Sequence, residues 1–253
     1  MKVQLSDGRI VDGTVVGRDP SYDLAVVKVA VTGLTALALG DSDKIQVGDA
    51  VIAVGSPLGL SGTVTTGIIS AKNRAVTTSG ATGPGNSFIN ALQTDAAINP
   101  GDSGGPLVDA TGAVIGVNSA IASLGSSFGG QSGSIGLGFA IPINQAKRTA
   151  EELIRTGVSS HPIIGVSLDT SYAGPGARIA DTAGSVTAGS PAAKAGLQPG
   201  DLIVAIDGQR VANSDELIVA IRTHAPGDRV VLTYVRGKGA ETKVTLTLAG
   251  STK

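Results

Sequence analysis

The strongest constraint on the fold is a succession of short apolar runs rich in β-branched residues, separated by glycine-containing turns. Such runs lie at 24–31, 50–54 and 112–117, and no helical pattern comes between them. Strands of this length without intervening helices indicate an antiparallel sandwich or barrel over about residues 1–142. Aromatic residues make up only 2% of the chain. Its core therefore has to be built from Val, Ile, Leu and Ala.

The first residues predict a hairpin. Met1–Ile10 reads as a strand, an Asp7–Gly8 turn and a returning strand, and it lacks the apolar segment of a signal peptide. Because a complete domain seldom begins inside a hairpin, we expect further sequence upstream. The segments 77–87 and 123–134, rich in Gly, Ser and Thr, are expected to be surface loops, with disordered linkers as the alternative.

One amphipathic helix is expected over 143–156. Apolar residues recur there at spacings of three and four, which places Ile143, Leu153 and Ile154 on one face. Gly157 has the position of a C-terminal cap. This helix would end the first of two domains.

A second, smaller domain is expected after a hinge at 158–162. Asn213 and Glu216 have the spacing of a helix capping box. Two β-branched runs near the C-terminus predict a terminal hairpin. The chain would then comprise domains at 1–158 and 163–249.

Charge and composition exclude several classes of function. The chain has 19 basic and 20 acidic residues, a balance that gives no support for binding to nucleic acid or to an anionic membrane. It has no cysteine, which excludes disulfides, thiol chemistry and cysteine-ligated metals. No uninterrupted apolar stretch of the sequence approaches membrane-spanning length.

The segment Pro100–Pro106, Pro-Gly-Asp-Ser-Gly-Gly-Pro, is the candidate for chemistry. Its serine, Ser103, has glycines on both sides, where backbone N–H groups can surround a reacting carbonyl. An exposed hydroxyl with donors arranged for an oxyanion is what acyl transfer requires. The alternative is a glycine-serine turn without chemistry.

The longer segment Gln93–Leu107 resembles the HtrA/DegP family of trypsin-like serine proteases. Two further blocks in the family's order, Asp19–Val26 upstream and Ile135–Pro142 downstream, extend the likeness to essentially the whole chain. The resemblance implies a mostly β fold: a chymotrypsin-like double β-barrel followed by an α+β PDZ domain. It implies no cofactor and no metal.

By this resemblance Ser103 is the nucleophile, and the N–H groups of Gly101 and Ser103 form the oxyanion hole. Asp23 matches the triad acid, which orients a histidine and stabilises its imidazolium. A turn or helix-cap carboxylate is the alternative for Asp23. Asp19 competes for the same role, but its position before Pro20 favours a turn.

Two positions near the nucleophile carry expectations of their own. The family commonly has asparagine before the serine, whereas this chain has Asp102, for which a local turn hydrogen bond is one role. The block Ile135–Pro142 resembles the strand that lines the primary specificity pocket, with Ile135, Leu137 and Phe139 as lining candidates. It offers no aspartate to select a basic side chain, so a small or medium aliphatic side chain is expected. An ordinary buried strand is the other interpretation.

The general base is missing from the pattern. In this fold class the histidine precedes the aspartate in the chain, but no histidine precedes Asp23. The two histidines, His161 and His224, both follow Ser103 and are expected to be surface or capping residues. We therefore expect a family member truncated ahead of its base, with an incomplete first barrel and no peptidase activity alone.

The second domain resembles a PDZ domain of this family, most specifically over Ser190–Gly208. A bound peptide would pair with the strand at Val166 and Leu168 and meet the helix near 217–221. A β-sandwich without a ligand is the alternative. Four residues match the loop whose N–H groups bind a peptide carboxylate: Ile163, Ile164, Gly165 and Val166.

The resemblance implies a serine endopeptidase of protein quality control, which cleaves unfolded or misfolded polypeptides and binds peptide C-termini. A non-catalytic, chaperone-like pseudoprotease that only binds peptides is the alternative. Relatives usually act in the cell envelope, in the periplasm or elsewhere outside the cytoplasm, and full-length relatives form homotrimers. Location and assembly rest on the resemblance alone.

Overall fold

The computed structural model describes residues 1–59, 62–79, 86–119, 134 and 136–252. The chain divides into two compact units, Met1–Ser159 and Ser160–Lys253. Most of the two predicted loops lies outside the described residues. Where the first loop is described, at 77–79 and 86–87, the backbone is in strands, so that loop is shorter than the glycine-rich pattern predicted.

An open antiparallel sheet begins the first unit. Its strands are β1 (Lys2–Gln4), β2 (Ile10–Asp19) and β3 (Leu24–Val29), in that order. The predicted hairpin between β1 and β2 is confirmed, with Gly8 at φ 86° in its turn. A bulge between Val15 and Gly17 interrupts the pairing of β2 with β3. The first barrel is thus represented by an open sheet.

A closed six-stranded barrel follows, in the order β4-β5-β6-β9-β8-β7. Each of its strands has two neighbours, and its interior is aliphatic, with Ile69, Leu107 and Ile115 fully buried. The predicted barrel is confirmed. The strands are β4 (Ala50–Gly55), β5 (Thr63–Ser79), β6 (Asn86–Thr94), β7 (Pro106–Asp109), β8 (Val114–Ser119) and β9 (Gly138–Pro142), with a 3₁₀ turn at Pro57–Gly59.

Helix α1 (Ile143–Thr156) has the predicted bounds. It ends at Gly157, which has φ 77° and donates its N–H to the carbonyl oxygen of Leu153 at 2.9 Å. A left-handed glycine of this kind is a common helix terminator. Among the residues that the structure describes, no helix has the length and apolarity needed to cross a membrane.

The second unit is an α+β sandwich whose core includes Ile179, Ile203 and Leu217. A sheet in the order β11-β12-β14-β15 has β13 paired to β12, and β10 pairs separately with β16. The strands are β10 (His161–Ile163), β11 (Ala177–Arg178), β12 (Leu202–Ile206), β13 (Gln209–Arg210), β14 (Arg229–Val235), β15 (Thr242–Thr247) and β16 (Ala249–Ser251); the helices are α2 (Pro191–Lys194) and α3 (Ser214–Arg222).

The predicted capping box begins α3. Asn213 Oδ1 accepts a hydrogen bond from the N–H of Glu216 at 2.9 Å, and Glu216 Oε2 accepts one from the N–H of Ala212 at 2.8 Å. The first bond pairs a donor that the start of the helix would leave unsatisfied, and the second holds the residue that precedes the cap. The predicted terminal hairpin is also confirmed, since β14 pairs with β15 along its length.

Candidate active site

Ser103 is exposed in the turn that leads into β7. The glycines around it, Gly101 and Gly104, have φ angles of 105° and 86°. Residues with a Cβ rarely adopt these angles, so the backbone requires the glycines of the motif. At Gly105 a Cβ would lie 2.0 Å from the carbonyl oxygen of Val54, because the turn passes close to β4.

Backbone hydrogen bonds hold this turn. The N–H of Asp102 donates to the carbonyl of Asn99 at 2.9 Å, and the N–H of Gly105 donates to the carbonyl of Asp102 at 3.0 Å. The N–H of Gly104 donates to the carbonyl of Asn118 in β8 at 2.9 Å. The turn is therefore fixed to a strand of the closed barrel.

The carboxylate of Asp102 is buried beneath the turn. Its Oδ2 accepts a hydrogen bond from the N–H of Asn99 at 2.9 Å, which is the local turn bond named from the sequence. Its Oδ1 is buried and has no hydrogen-bond partner among the described residues. That oxygen lies against Gly55, where a Cβ would be 2.1 Å away. Asp102 thus anchors the turn from inside the unit.

Asp23 is held next to the end of β8. Its φ of 56° is unusual for a residue other than glycine, and its Oδ2 accepts a hydrogen bond from Ser119 Oγ at 3.1 Å. Burial raises the pKa of Asp23 above its ordinary value, and the Ser119 hydrogen bond opposes that rise. Ser119 follows Asn118, which binds the Ser103 turn, so the structure brings both candidate residues to one strand end.

Asp19 is engaged in the turn between β2 and β3. Its side chain is buried, and Oδ1 accepts hydrogen bonds from the N–H groups of Ser21 and Tyr22 at 3.0 and 3.2 Å. Oδ2 accepts a hydrogen bond from the hydroxyl of Ser159, which follows α1. The turn role that the sequence favoured for Asp19 is confirmed by this geometry.

Sequence reasoning missed Asn118 and Ser119. Both are buried at the end of β8. Asn118 Nδ2 donates to the carbonyls of Val54 at 3.1 Å and Pro106 at 3.4 Å, which joins β8 to β4 and β7. The available signal was a pair of polar residues at the end of an otherwise apolar strand, where burial makes hydrogen-bond partners necessary.

The proposed pocket residues are only partly described. Ile135 lies outside the described residues. Phe139 is buried in a core cluster with Ile89 and Ile141, and Leu137 packs against the same cluster. Phe139 also pairs in register with Ser119 of β8. The buried-strand interpretation therefore holds for Phe139.

Both histidines belong to the second unit, whereas Ser103 belongs to the first. His161 is buried in β10, and not in a surface hinge as predicted, because residues 161–163 pair with β16. His224 follows α3. Its Nε2 lies 3.3 Å from Oδ2 of Asp207, and its Nδ1 lies 4.0 Å from Oδ2 of Asp228. The only histidine side chains of the sequence thus have their own structural surroundings in the second unit.

The predicted carboxylate loop continues from β10. Ile163 is partly exposed at the end of β10, whereas Ile164 is buried in the core. Gly165 has φ 78°, and a Cβ there would lie 2.4 Å from Cβ of Ser190. The close approach that requires glycine is therefore made by Ser190 of the same chain.

Val166 and Leu168 lie in an extended segment that, among the described residues, has one edge paired and the other edge open. Val166 is bridged to Val186, and Leu168 to Ile179. Hydrogen bonds of 2.7–3.0 Å join the residues that flank each bridge. In such antiparallel pairs the N–H and C=O of the bridged residues point outward. Both side chains pack against the core that includes Leu217 of α3.

In comparisons with known proteins, a different family model matches each of the two units. A trypsin-like peptidase domain matches residues 1–117, and a PDZ domain matches residues 162–248. The chain is similar to serine protease PepD of Mycobacterium tuberculosis, with 51% identity over 97% of this chain and 53% of that protein. It is 45% identical to a probable periplasmic serine endoprotease, DegP-like, of Chlamydia trachomatis, over 97% of this chain and 48% of that protein. The chain thus spans about half the length of these curated relatives.

Solved structures of proteases are similar to this chain across both units. The HtrA-type protease AlgW with a decapeptide has a TM-score of 0.67 and 36% identity, and the match covers 99% of this chain and 75% of that one. A serine endoprotease from Yersinia pestis has a TM-score of 0.60 and 32% identity over 99% of this chain and 79% of that one. The chain therefore belongs to the HtrA/DegP family of trypsin-like serine proteases that carry a PDZ domain.

Proposed function

We propose that this protein is a serine endopeptidase of protein quality control, which cleaves unfolded or misfolded polypeptides. The observation that carries the proposal is the Ser103 turn, bonded to the strand end where Ser119 holds Asp23. The DegP-like relatives named as periplasmic support a location in the cell envelope.

In this proposal Ser103 Oγ attacks the peptide carbonyl, and the N–H groups of Gly101 and Ser103 receive the oxyanion. Each such donor contributes about 3–4 kcal/mol of transition-state stabilisation. Asp23 orients the imidazole of the base and stabilises the imidazolium. Ser119 acts as a positioning residue, because its hydroxyl holds Oδ2 of Asp23.

The pocket for the residue before the scissile bond is proposed to lie at the Ile135–Pro142 block. Leu137 and Phe139 would supply apolar walls together with Ile135, and no aspartate occurs in that block. An aliphatic side chain of small or medium size suits such a pocket. Substrates that differ only in this residue test it: basic residues should be cleaved far more slowly than valine or alanine by a catalytically competent protein.

Activity also requires a base for the Ser103 proton, and we propose that neither histidine of residues 1–253 provides it. His161 is buried in a strand of the second unit, and His224 lies beside Asp207 and Asp228. A serine protease that lacks a triad member retains only about 10³–10⁴-fold acceleration over water. Residues 1–253 alone should therefore be nearly inactive at neutral pH.

Labelling with a fluorophosphonate tests the nucleophile and the missing base together. At pH 7 we expect neither casein hydrolysis nor stoichiometric labelling of Ser103. At alkaline pH the labelling rate should rise about tenfold per pH unit, since only the alkoxide reacts, and Ser103→Ala should abolish it. Stoichiometric labelling at pH 7 would contradict the proposal, and loss of that labelling in His161→Ala or His224→Ala would identify the base.

Peptide binding by the second unit is the other proposed activity. It would be the whole activity if the protein were the non-catalytic pseudoprotease. The outward N–H and C=O groups of Val166 and Leu168 can pair with an added strand, and the Ile163–Val166 loop would receive its terminal carboxylate. Peptides ending in an aliphatic residue should bind to the full chain, and C-terminal amidation should abolish binding. Equal affinity for the amidated peptides would rule out the carboxylate loop.

A further inference from the structure

The second unit has another cleft besides the edge at Val166 and Leu168. Its volume is about 940 Å³, and it is walled by α2 with the segment before it on one side and by β15 on the other. Neither Leu168 nor any residue of α3 lines it. The cleft is therefore distinct from the groove proposed for peptide C-termini, although Ile163 and Gly165 border both.

The backbone of β15 points unpaired groups into this cleft. Thr245 lies opposite Val231 of β14, and both backbone groups of Val231 bind Asp207: the N–H donates to Oδ1 at 2.7 Å, and the C=O accepts from the N–H at 2.8 Å. Val231 and Thr245 thus form a non-hydrogen-bonded pair, in which both residues point their backbone groups away from each other. Thr247, two residues further along, has the same orientation.

Strand β10 shows that this edge accepts a strand. Pro162 lies opposite Gly250 and has no N–H to donate, so these two residues form a non-hydrogen-bonded pair. The next pair, Ile163 with Ala249, is therefore a hydrogen-bonded one. Ala249 therefore points its backbone groups to the same edge as Thr245 and Thr247. The chain leaves this pairing at Gly165, with φ 78°, and among the described residues β15 has β14 as its only strand neighbour.

The cleft is positively charged. Lys194 of α2 and Arg229 of β14 line it, and no aspartate or glutamate does. Both cations are exposed, and neither forms an ion pair within the part of the chain that the structure describes. A ligand that pairs with the outward N–H and C=O groups of β15 must supply backbone acceptors and donors. A ligand that neutralises Lys194 and Arg229 must supply anionic groups.

We propose that this cleft binds an extended polypeptide segment with acidic side chains, which pairs with the outer edge of β15. Its backbone continues the ladder where β10 leaves it, and its carboxylates bind Lys194 and Arg229. Strand addition of this kind needs no free C-terminus. The site therefore recognises internal acidic segments of a partner or substrate, independently of the carboxylate loop.

The probe is a fluorescent eight-residue peptide of alternating Glu and Val, blocked at both ends so that the carboxylate loop cannot hold it. We expect it to bind the full chain, as measured by fluorescence anisotropy, and to bind at least tenfold more weakly with Gln in place of Glu. The double variant Lys194→Glu/Arg229→Glu should weaken binding at least tenfold. Lys238→Glu, a control at an exposed lysine outside the cleft, should change it less than twofold.

Strand addition is tested separately at Thr245. Thr245→Pro removes one outward N–H without removing a bond to β14, so it should weaken binding at least tenfold, whereas Thr245→Val should not. If Thr245→Pro lowers the melting temperature of the second unit, its weaker binding could come from unfolding. The double variant Lys194→Glu/Arg229→Glu then tests the proposal. The proposal is overturned if the blocked peptide does not bind or if the cleft variants bind it normally.

Discussion

Two aspartates four positions apart in the sequence have opposite energetic roles. Asp19 is buried, and its carboxylate oxygens accept hydrogen bonds from Ser21, Tyr22 and Ser159, so it is tied into the turn structure. Asp23 has a pKa raised by burial, with only the Ser119 hydroxyl opposing the rise. Carboxylates that the fold destabilises in this way are common at catalytic sites.

This contrast predicts opposite effects on stability. Asp19→Asn replaces a carboxylate oxygen by a donor next to other donors and should lower the free energy of unfolding by about 1–3 kcal/mol at pH 7. Asp23→Asn should leave the melting temperature at pH 7 unchanged or raise it. Because the folded protein holds the Asp23 proton more tightly than the unfolded chain does, stability falls as the pH rises through the raised pKa.

Thermal unfolding of the two variants and the parent chain across pH 3.5–7 checks this prediction. Any advantage of Asp23→Asn should diminish as the pH falls from the raised pKa towards the ordinary value of 3.8, and it should disappear below that value, where the aspartate is protonated in both states. A loss of stability in Asp23→Asn as large as that in Asp19→Asn would show that Asp23 is a structural carboxylate and not a strained site residue.

At the level of elements, the sequence predicted the boundaries of α1 better than its buried face. The bounds of α1 are correct because Gly157 supplies a terminating residue that is visible in the sequence. Its predicted face is partly wrong: Ile154 is 63% exposed, while the polar Thr149 is 3% exposed. An apolar pattern cannot show that a threonine completes the buried stripe between Ala146 and Leu153, since that depends on the surface against which the helix packs.

The same limit applies to the candidate site. The motif identified Ser103 and its glycines because their backbone angles and local bonds are encoded within a few residues. Ser119 could not be assigned in this way, since its bond to Asp23 joins residues 96 positions apart in the sequence. The burial of His161 depends likewise on a strand pairing with the C-terminal residues of the chain.

The junction between β10 and α2 depends on one close contact. Gly165→Ala should destabilise the second unit, because the residue has φ 78° and a Cβ would lie 2.4 Å from that of Ser190. Backbone strain and overpacking together should cost about 2–4 kcal/mol. Gly189→Ala is the matched control: its φ is 74°, but nothing lies within 4 Å of the added carbon, so only the strain of about 1 kcal/mol remains.

Urea unfolding of the two alanine variants measures this difference. Both should retain the m-value of the parent chain, since the surface exposed on unfolding does not change. Equal midpoints for Gly165→Ala and Gly189→Ala would mean that Ser190 moves aside without cost. The Ile163–Val166 loop would then be more adaptable than the contact with Ser190 indicates.

At the scale of the whole molecule, the two parts of the first unit differ in how well they bury apolar surface. The six-stranded barrel closes on itself, whereas the β1–β3 sheet is open. Val15 and Val27 pair directly across β2 and β3, yet they are 49% and 38% exposed. An exposed apolar pair on an open sheet favours self-association.

Replacing both valines with threonine should therefore reduce self-association of the chain without unfolding it. Threonine retains a β-branched side chain suited to strands, so Val15→Thr/Val27→Thr should keep the parent melting temperature within about 2 °C, in line with surface substitutions of under about 0.5 kcal/mol. Static light scattering against concentration should show weaker attraction. Val51→Thr, at a residue of the barrel core that is 1% exposed, should instead lower stability by about 1–3 kcal/mol, because it buries a hydroxyl. Unchanged scattering in the double variant would show that the chain does not self-associate through the open sheet.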